Sequence, residues 1–398
     1  MAHTVIDINQ DRRIVDMSNT IHLLRPSESP LVVLLQRLAK ETAYDVEFKW
    51  LEQGDIEMWD TVTSTVEANN GNHPTKIPVS NPNIFSPDDI VEIPSTSELV
   101  LVKGVTNEES DKSITVTRGW AGTTSANIAN NAALHRIGDA QLDYSKSPDA
   151  KRVEPVTKSN YVQLFKTAVE GSGRLDAVKL YGGPDKNHQR KLKGIEHQVK
   201  LEKAFWFGER ASDASTGKQR TTTRGVLRWL ANCPTKVNMQ AGGGIGGGTG
   251  GGTGVLTQDE FDKGFLQDAF YYGSDTKYLF CSPLLLSIIS GWAYGKLQIE
   301  QSQDTSSKTF GIRVGTYVSP HGIVKIIPHP LFKGEYGGYG VLLDMECLKY
   351  RPLNGRDTQL ETNIQDPDLD GWKDMYMTDA GLEFRQVERH GLIYGITG

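Results

Sequence analysis

The sequence predicts an α+β protein, with strands concentrated before and after one long helix. Three observations support this class. Apolar and polar residues alternate over about 48–136, helical spacing runs over about 184–208, and strands follow one another over 317–398. A chain of 398 residues is long enough for two or three domains of about 150 residues each.

The charge balance argues against a dedicated nucleic-acid binder. The chain has 43 Lys and Arg residues against 49 Asp and Glu residues, a formal net charge of -6. Proteins that bind nucleic acid tightly carry a basic surplus, because neutralising phosphates drives their affinity. The acidic surplus leaves most other classes of protein open.

The cysteines and the amino terminus indicate the compartment. Cys233, Cys281 and Cys347 lie far apart and form no Cys-x-x-Cys pair, which argues against zinc and thioredoxin-like motifs and predicts buried, reduced thiols. The first residues lack a basic region followed by an apolar core, so no secretory signal is expected. No apolar run approaches the ~20 residues needed to span a bilayer. We therefore expect folding in a reducing cytoplasm and no membrane contact.

The first predicted helix follows an irregular polar arm over residues 1–27. Ser29 can cap this helix, and Pro30 suits its first turn because proline has no amide hydrogen to leave unpaired. Leucines then recur at helical spacing: Leu31, Leu34, Leu35 and Leu38. The pattern predicts an arm followed by a short amphipathic helix.

A strand-rich module is predicted next. Its strands cover 89–93, 98–102 and 113–118, and alternation places Ile114 and Val116 on one face. Turns are predicted at 69–72, 86–88 and 104–111. The last strand runs into residues 118–124, Arg-Gly-Trp-Ala-Gly-Thr-Thr.

The longest predicted helix runs from about Pro184 to Gly208 and would be ~37 Å long. Its apolar stripe is expected to be buried: Leu192, Ile195, Val199, Leu201, Phe205 and Trp206. Its charged residues are expected to be solvated: Lys186, Arg190, Lys191, Lys193, Glu196, Lys200, Glu202 and Lys203. Gly194 costs the helix about 1 kcal/mol relative to alanine, and the sequence offers no reason for it.

A glycine run at 241–254 predicts a flexible surface loop. A phosphate-binding loop is disfavoured, because no Gly-Lys-Ser/Thr sequence ends the run. Thr257 and Glu260 then have the spacing of a capping box, which predicts a helix to about Tyr271. Its buried face is expected to hold Phe261, Phe265 and Ala269.

The remaining elements are mostly strands. A helix from Ser282 and Pro283 to Trp292 follows a predicted buried strand at 278–281. Further strands are predicted at 323–327 and 341–350, the latter with Val341, Leu343, Met345 and Cys347 on one face. A closing hairpin is predicted around Asp379-Ala380-Gly381.

No catalytic, cofactor-binding or metal site is predicted. Residues 366–371 begin like a calcium loop, but the twelfth position holds Met377 instead of glutamate, which favours a solvated acidic turn. The pairs His321/His329 and His188/His197 lack the i, i+4 spacing of a metal site, so structural or surface roles are expected. No Gly-x-Ser-x-Gly nucleophile motif is present.

The basic face of the long helix is the remaining candidate for a ligand contact. Residues 185–210 contain seven Lys and Arg against four Asp and Glu. Such a small excess is typical of a solvated face and leaves open only weak, salt-sensitive contact with DNA.

In their order, these parts resemble tailed-phage major capsid proteins with the HK97-like (Hong Kong 97-type) fold. Residues 317–398 resemble the carboxy-terminal part of such proteins. Residues 118–124 match the Arg-Gly-x-x-Gly-Thr-Thr pattern that, in one subfamily, closes a β-rich insertion in the extended loop. The resemblance implies five parts: an arm and short helix (1–47), an extended loop with the inserted module (48–158), a peripheral domain with a spine helix (159–230), an axial domain (231–340) and peripheral-domain strands (341–398).

The resemblance implies a structural role and no catalysis. Copies are expected to form pentamers and hexamers of an icosahedral virion capsid around double-stranded DNA, assembled in the host bacterial cytoplasm. The short segment before the first helix predicts no fused scaffolding domain, so a separate scaffolding protein is expected, with a portal and a decoration protein as further partners. Two alternatives stay open: another virion component, such as a decoration or tail-tube protein, and a cytoplasmic enzyme or carbohydrate-binding protein that uses the β-module.

Overall fold

The structure, a computed structural model, describes residues 29–38, 40–55, 57–67, 73–109, 111–147, 154–178, 185–215, 217–240, 254–296 and 315–397. The predicted arm over 1–27, the predicted turn at 69–72, Pro184 and the glycine run up to residue 253 lie outside these ranges. Contacts divide the chain into two units. One is Gln53–Pro155, and the other combines Met1–Glu52 with Val156–Gly398.

The described residues contain six α-helices and twenty strands, which confirms the predicted α+β class. The helices are α1 (Pro30–Leu38), α2 (Gly173–Ala177), α3 (Asp185–Phe207), α4 (Val226–Trp229), α5 (Gln267–Ala269, continuing a π-helix over Glu260–Leu266) and α6 (Pro283–Lys296). The strands up to α3 are β1 (Glu47–Glu52), β2 (Trp59–Thr61), β3 (Lys76–Pro78), β4 (Asp89–Ile93), β5 (Glu98–Glu108), β6 (Asp111–Thr117), β7 (Ala133–Asp139), β8 (Val156–Tyr161) and β9 (Gln163–Ser172). Those after α3 are β10 (Ala211–Asp213), β11 (Arg220–Thr222), β12 (Lys236–Asn238), β13 (Thr276–Cys281), β14 (Gly315–Ser319), β15 (Gly322–Pro328), β16 (Gly340–Leu343), β17 (Leu348–Pro352), β18 (Gln359–Glu361), β19 (Gly371–Phe384) and β20 (Gly391–Tyr394). None of the helices in the described ranges has both the length and the apolar content that a membrane span requires.

The unit Gln53–Pro155 is built on one antiparallel six-stranded sheet with the order β2-β7-β4-β5-β6-β3. The three predicted strands are present, and Ile114 and Val116 share the buried face as expected. The turn predicted at 104–111 is present but much shorter, because it lies between Glu108 and Asp111. A register shift between Val102 and Gly104 absorbs an extra residue, so that β5 continues to pair with β6 as far as Glu108.

The larger unit contains two main sheets and two short ribbons. A mixed six-stranded sheet has the order β12-β20-β16-β13-β15-β14. A second, antiparallel sheet joins β17, β19 and β18, and β9 also pairs with β19. The strands β1 and β8 form one ribbon and β10 and β11 the other. Helix α3 packs against β9 and β19.

Helix α3 confirms the predicted long helix, with a different set of buried residues. Leu201, Phe205 and Trp206 are buried as expected. Glu202, predicted to be solvated, is fully buried. The structure explains the glycine at position 194. A Cβ atom there would lie 3.3 Å from the ring of Tyr376, so glycine allows the sheet to pack close to the helix.

The helix after residue 254 begins as the sequence predicts. The amide and the hydroxyl of Thr257 donate to Oε2 of Glu260 at 3.0 and 2.8 Å, and the Glu260 amide donates to the Thr257 hydroxyl at 3.3 Å. Phe261, Phe265 and Ala269 are buried. The middle of this helix is of the π type, in which an amide bonds to the carbonyl five residues earlier.

Two predictions in the carboxy-terminal segment are wrong. The strand predicted at 341–350 is interrupted by a short 3₁₀ turn at Met345–Cys347, where the amide of Glu346 donates to the side chain of Asp344. The chain leaves one sheet as β16 and enters the other as β17. The hairpin predicted around Gly381 is instead the interior of the fourteen-residue strand β19. Glycine is needed there because a Cβ atom would lie 2.6 Å from the Phe48 ring and 2.8 Å from the carbonyl oxygen of Tyr161.

Replacing Gly381 by alanine should therefore destabilise the larger unit by about 1–3 kcal/mol, as overpacking of a tight contact does. Urea denaturation followed by tryptophan fluorescence measures the change. The matched control is Gly104→Ala, another strand glycine, around which no atom lies within 4 Å of the added Cβ. The control should change stability by less than about 0.5 kcal/mol, and equal effects of the two substitutions would contradict the packing explanation.

Candidate functional site

The carboxylate of Glu202 joins three separate segments of the larger unit. Its Oε1 accepts hydrogen bonds from the amide of Leu31 at 3.0 Å and from the indole of Trp206 at 3.0 Å. Its Oε2 accepts from the amide of Val32 at 2.8 Å. A fourth partner is Nε2 of His329, 2.7 Å from Oε1. One buried side chain on α3 thus fixes the start of α1 and the segment that follows β15.

Helix α1 needs such a partner because the first amides of a helix have no carbonyl to bond within it. The sequence predicts that Ser29 caps this helix, but the amides of Leu31 and Val32 bond to Glu202 instead. A carboxylate also complements the positive end of the helix dipole. The negative charge is therefore held by hydrogen bonds on every side, although Glu202 has no exposed surface.

The tautomer of His329 follows from its second hydrogen bond. The amide of Leu331 donates to Nδ1 of His329 at 3.2 Å, so Nδ1 must be an acceptor. The ring proton is therefore on Nε2 and is donated to Glu202. The rings of Trp206, Phe280 and Phe332 pack around this contact, with centroids 4.8–6.1 Å from that of His329, and exclude water from it.

The amino-terminal half of α3 is anchored to β19 by a second polar contact. Nε of Arg190 donates to Oδ2 of the buried Asp374 at 2.7 Å, and the amide of Asn363 donates to its Oδ1 at 3.0 Å. Burial opposes the charge of Asp374, but these hydrogen bonds outweigh burial and keep its pKa below the ordinary value. The hydroxyl of Tyr376 donates to the carbonyl of Arg190 at 3.1 Å, beside Gly194.

The middle of α3 is fixed by His197, which is fully enclosed between two strands. Its Nδ1 lies 3.0 Å from the hydroxyl of Thr167 on β9, and its Nε2 lies 2.8 Å from the hydroxyl of Thr378 on β19. Burial, together with the nearby charge of Lys200, lowers the pKa of His197 to about 4. The imidazole is therefore neutral near pH 7 and acts as a hydrogen-bonding spacer between helix and sheet.

The chain between α1 and β1 is tied to β17. The amides of Glu41 and Ala43 donate to the carbonyls of Tyr350 and Pro352 at 3.0 and 2.8 Å. Arg351 links the Glu41 carboxylate to that of the buried Glu383. A hydrogen bond from Lys349 is the main cause that lowers the pKa of Glu41.

The ribbon of β1 and β8 has one buried and one exposed face. Phe48 and Trp50 point into the core. Leu51 lies on the opposite face and is 65% exposed. Val156 pairs with Glu52 at the end of the ribbon, on the same face as Phe48 and Trp50, and is 56% exposed. Leu51 thus adds apolar area to the outer face of the ribbon, where it is accessible to another protein.

The residues weighed as chemical sites are not brought together. Cys233, Cys281 and Cys347 are buried, unpaired thiols, and burial raises the pKa of Cys233 to about 11 and that of Cys281 to about 12. Residues 366–370 form an exposed turn before β19. Within the described ranges, no group of three or more His, Cys, Asp or Glu side chains could hold a metal ion.

Sequence reasoning missed the polar anchors because each looks ordinary on its own. Glu202 lies among the charged residues of an amphipathic helix, and its partners at positions 31, 32 and 329 are more than a hundred residues away. Lys277, the second residue of β13, is another buried charge: its ammonium donates to the carbonyls of Ala269, Tyr272 and Arg389 at 2.5–2.8 Å. Its one available signal was a lysine within an otherwise apolar strand.

A family model and a curated relative both match this chain, and both are major capsid proteins. A model of the SU10 major capsid protein family matches residues 3–397. A major capsid protein of Pseudomonas phage PaMx41 is 25% identical over 259 residues, which is 62% of this chain and 58% of that protein's length. The aligned region thus spans less than two thirds of that relative.

Solved structures from phages are also similar. The capsid of Myoviridae phage XM1 aligns over 98% of this chain and 99% of its own, at 11% identity and a TM-score of 0.47. A structure from Mycobacterium phage Cain aligns over 99% of this chain and 98% of its own, at 8% identity and a TM-score of 0.49.

Replacing Glu202 by glutamine should destabilise the larger unit by about 2–4 kcal/mol, because a buried amide group then faces donors that a carboxylate satisfied. Urea denaturation measures the loss, and hydrogen exchange should be faster in the peptide that covers α1. The control on the same helix is Glu196→Gln, which removes exposed ion pairs with Lys193 and Lys200 and should cost less than about 1 kcal/mol. Unchanged exchange of α1 in the Glu202 variant would argue against the capping role.

His197 should make stability depend on pH. Its ordinary pKa of 6.5 falls to about 4 in the folded chain, so between these values the unfolded chain binds more protons and the free energy of unfolding falls as the pH falls. His197→Gln should reduce this slope. A smaller slope will remain, because burial also lowers the pKa of His390, to about 3. Thermal unfolding between pH 4 and 7 tests this, with His188→Gln as control; an unchanged slope in the His197 variant would refute the assignment.

Proposed function

The chain belongs to the SU10 major capsid protein family, and on this premise we propose that its copies assemble into pentamers and hexamers that tile an icosahedral phage head around double-stranded DNA. The observation that carries the proposal is the family match over residues 3–397, which spans both units. A shell wall requires obligate contacts of thousands of Å² per subunit. Contacts that join unlike patches on successive copies close into rings and produce the capsomers.

The parts of the HK97-like arrangement can be assigned to the elements observed. Helix α3 serves as the spine of the peripheral domain, against the sheet of β9, β17, β18 and β19. The mixed six-stranded sheet of the larger unit, together with α6, serves as the axial domain. This sheet includes β16 and β20, which come from the segment that the sequence assigned to the peripheral domain. The ribbon of β1 and β8 serves as the base of the extended loop at 48–158, which carries the inserted module. Residues 1–47 serve as the arm and its helix.

This role needs no catalytic centre. The buried polar side chains Glu202, His197 and Asp374, all within the described residues, make hydrogen bonds that hold the fold together. A separate scaffolding protein, a portal and a decoration protein are the expected partners in assembly. The basic residues of α3 would give at most weak, salt-sensitive contact with packaged DNA, because Glu196 already pairs with two of its lysines.

Electron microscopy of the purified, concentrated protein tests the proposal. The unaltered chain should form shells or rings of capsomer size. Uniform small particles under all conditions that support phage capsid assembly would contradict the proposal.

The exposed side of the ribbon should be needed for assembly but not for folding. The variant Leu51→Asp should keep the circular dichroism spectrum and melting temperature of the unaltered chain, while the assembled fraction in micrographs falls by about an order of magnitude. Ile137→Asp is the control, because Ile137 is similarly exposed (55%) but lies in the inserted unit. If both variants assemble like the unaltered chain, the ribbon is not an assembly contact.

A further inference from the structure

A small cavity lined by aromatic rings lies beside the carboxy-terminal end of α3. We call it the aromatic cleft; its volume is about 220 Å³, and it is lined among others by Phe207, Tyr336, Tyr339, Tyr394, Arg228 and Lys236. The rings form a continuous series, with centroids 4.6 Å apart for Phe207 and Tyr336, 5.1 Å for Tyr336 and Tyr339, and 5.6 Å for Tyr339 and Tyr394. Pockets for small molecules typically measure about 300–1,000 Å³, so this cleft suits one or two side chains rather than a cofactor.

The cleft presents several hydrogen-bond donors. Among the residues that the structure describes, none receives a hydrogen bond from the hydroxyls of Tyr336, Tyr339 or Tyr394. Two cations lie at the rim: Lys236 is 5.5 Å from the Tyr394 ring centroid, and the side chain of Arg228 is largely exposed, with Glu209 3.5 Å away as its nearest anion. Aromatic rings, free hydroxyls and cations together suit an acidic peptide with an apolar residue.

A segment of that composition occurs in the same chain. Residues 366–370, the acidic loop, read Asp-Pro-Asp-Leu-Asp, and all five are exposed. Leu369 is 56% exposed although it is a large apolar residue. The loop is held in shape by bonds from the Leu369 amide to the Asp366 carbonyl (3.1 Å) and from the Ile364 amide to the Lys373 carbonyl (2.8 Å). It is therefore preorganised for binding.

One copy cannot place its acidic loop in its own cleft. The loop lies near the start of α3, where Lys186 is 4.8 Å from the ring of Trp372, two residues after the loop. The cleft lies at the other end, where Phe207 lines it. From residue 186 to residue 207 the helix rises ~32 Å. The acidic loop of one copy can therefore reach a cleft only on another copy.

We propose that the acidic loop of one copy docks into the aromatic cleft of the next copy, a contact that rests on the proposed capsid function and names one of its interfaces. Leu369 and Pro367 pack on the tyrosine rings, and the aspartates accept hydrogen bonds from the tyrosine hydroxyls and from Arg228 and Lys236. Because the two patches differ, the contact is head-to-tail and continues from copy to copy until a ring closes.

Charge reversal tests the contact. The loop variant is Asp366→Lys/Asp368→Lys, and the cleft variant is Arg228→Glu/Lys236→Glu. Each alone should reduce the assembled fraction on the order of tenfold, as measured by sedimentation and electron microscopy. The chain that carries all four substitutions should regain assembly, because its charges again attract. The control Glu108→Lys/Glu109→Lys makes the same change of charge as the loop variant at an exposed hairpin and should assemble normally.

A peptide measurement separates this contact from assembly as a whole. A fluorescent peptide of residues 363–371 should bind to the full-length loop variant, whose cleft is intact, and binding should weaken with salt. It should not bind to the cleft variant. If the unaltered chain assembles but charge reversal has no effect, or if the peptide binds both variants equally, this interface is wrong while the capsid function stands. If the unaltered chain never assembles, both fail.

Discussion

The fold of the larger unit depends on the buried carboxylate of Glu202, which lies on α3 and accepts hydrogen bonds from the segments around this helix. Glu202 accepts hydrogen bonds from two amides at the start of α1, from an indole one turn along its own helix and from a neutral imidazole. Removing a charge from water costs several kcal/mol, and only a complete set of donors offsets this. The donors come from segments separated by more than a hundred residues, so the site forms only when the whole unit has folded. It therefore specifies one arrangement of the segments as well as stabilising it.

The same principle repeats along α3. Asp374, His197 and Glu202 occupy successive levels of the contact between the helix and its neighbours, and each is buried with its polar atoms paired. An apolar interface alone would allow the helix to slide or rotate, because dispersion and burial are non-directional. Directional hydrogen bonds prevent this. In the proposed role of α3 as a spine helix, these hydrogen bonds would hold its position against the sheet.

Local patterns predicted the elements well, and distant contacts explain where they did not. The capping box of Thr257 and Glu260 and the limits of α3 could be predicted because their causes lie within a few residues. The burial of Glu202 could not, since its partners are remote. Gly381 was misinterpreted because glycine serves both turns and close contacts; only the fold shows that Phe48 and Tyr161 lie against it. The interruption at Asp344 was hidden because the residues on both sides are apolar and buried, though in different sheets.

The pairing at the end of the β1–β8 ribbon has an evolutionary consequence. Glu52 and Val156 are direct partners across the two strands, so the polypeptide departs from the larger unit and returns to it at neighbouring positions. Whatever lies between these two residues can lengthen, shrink or be exchanged for a different domain without altering the strand pairs that precede it. The position is thus suited to acquiring new modules over time and, in the laboratory, to displaying foreign polypeptides on many copies at once.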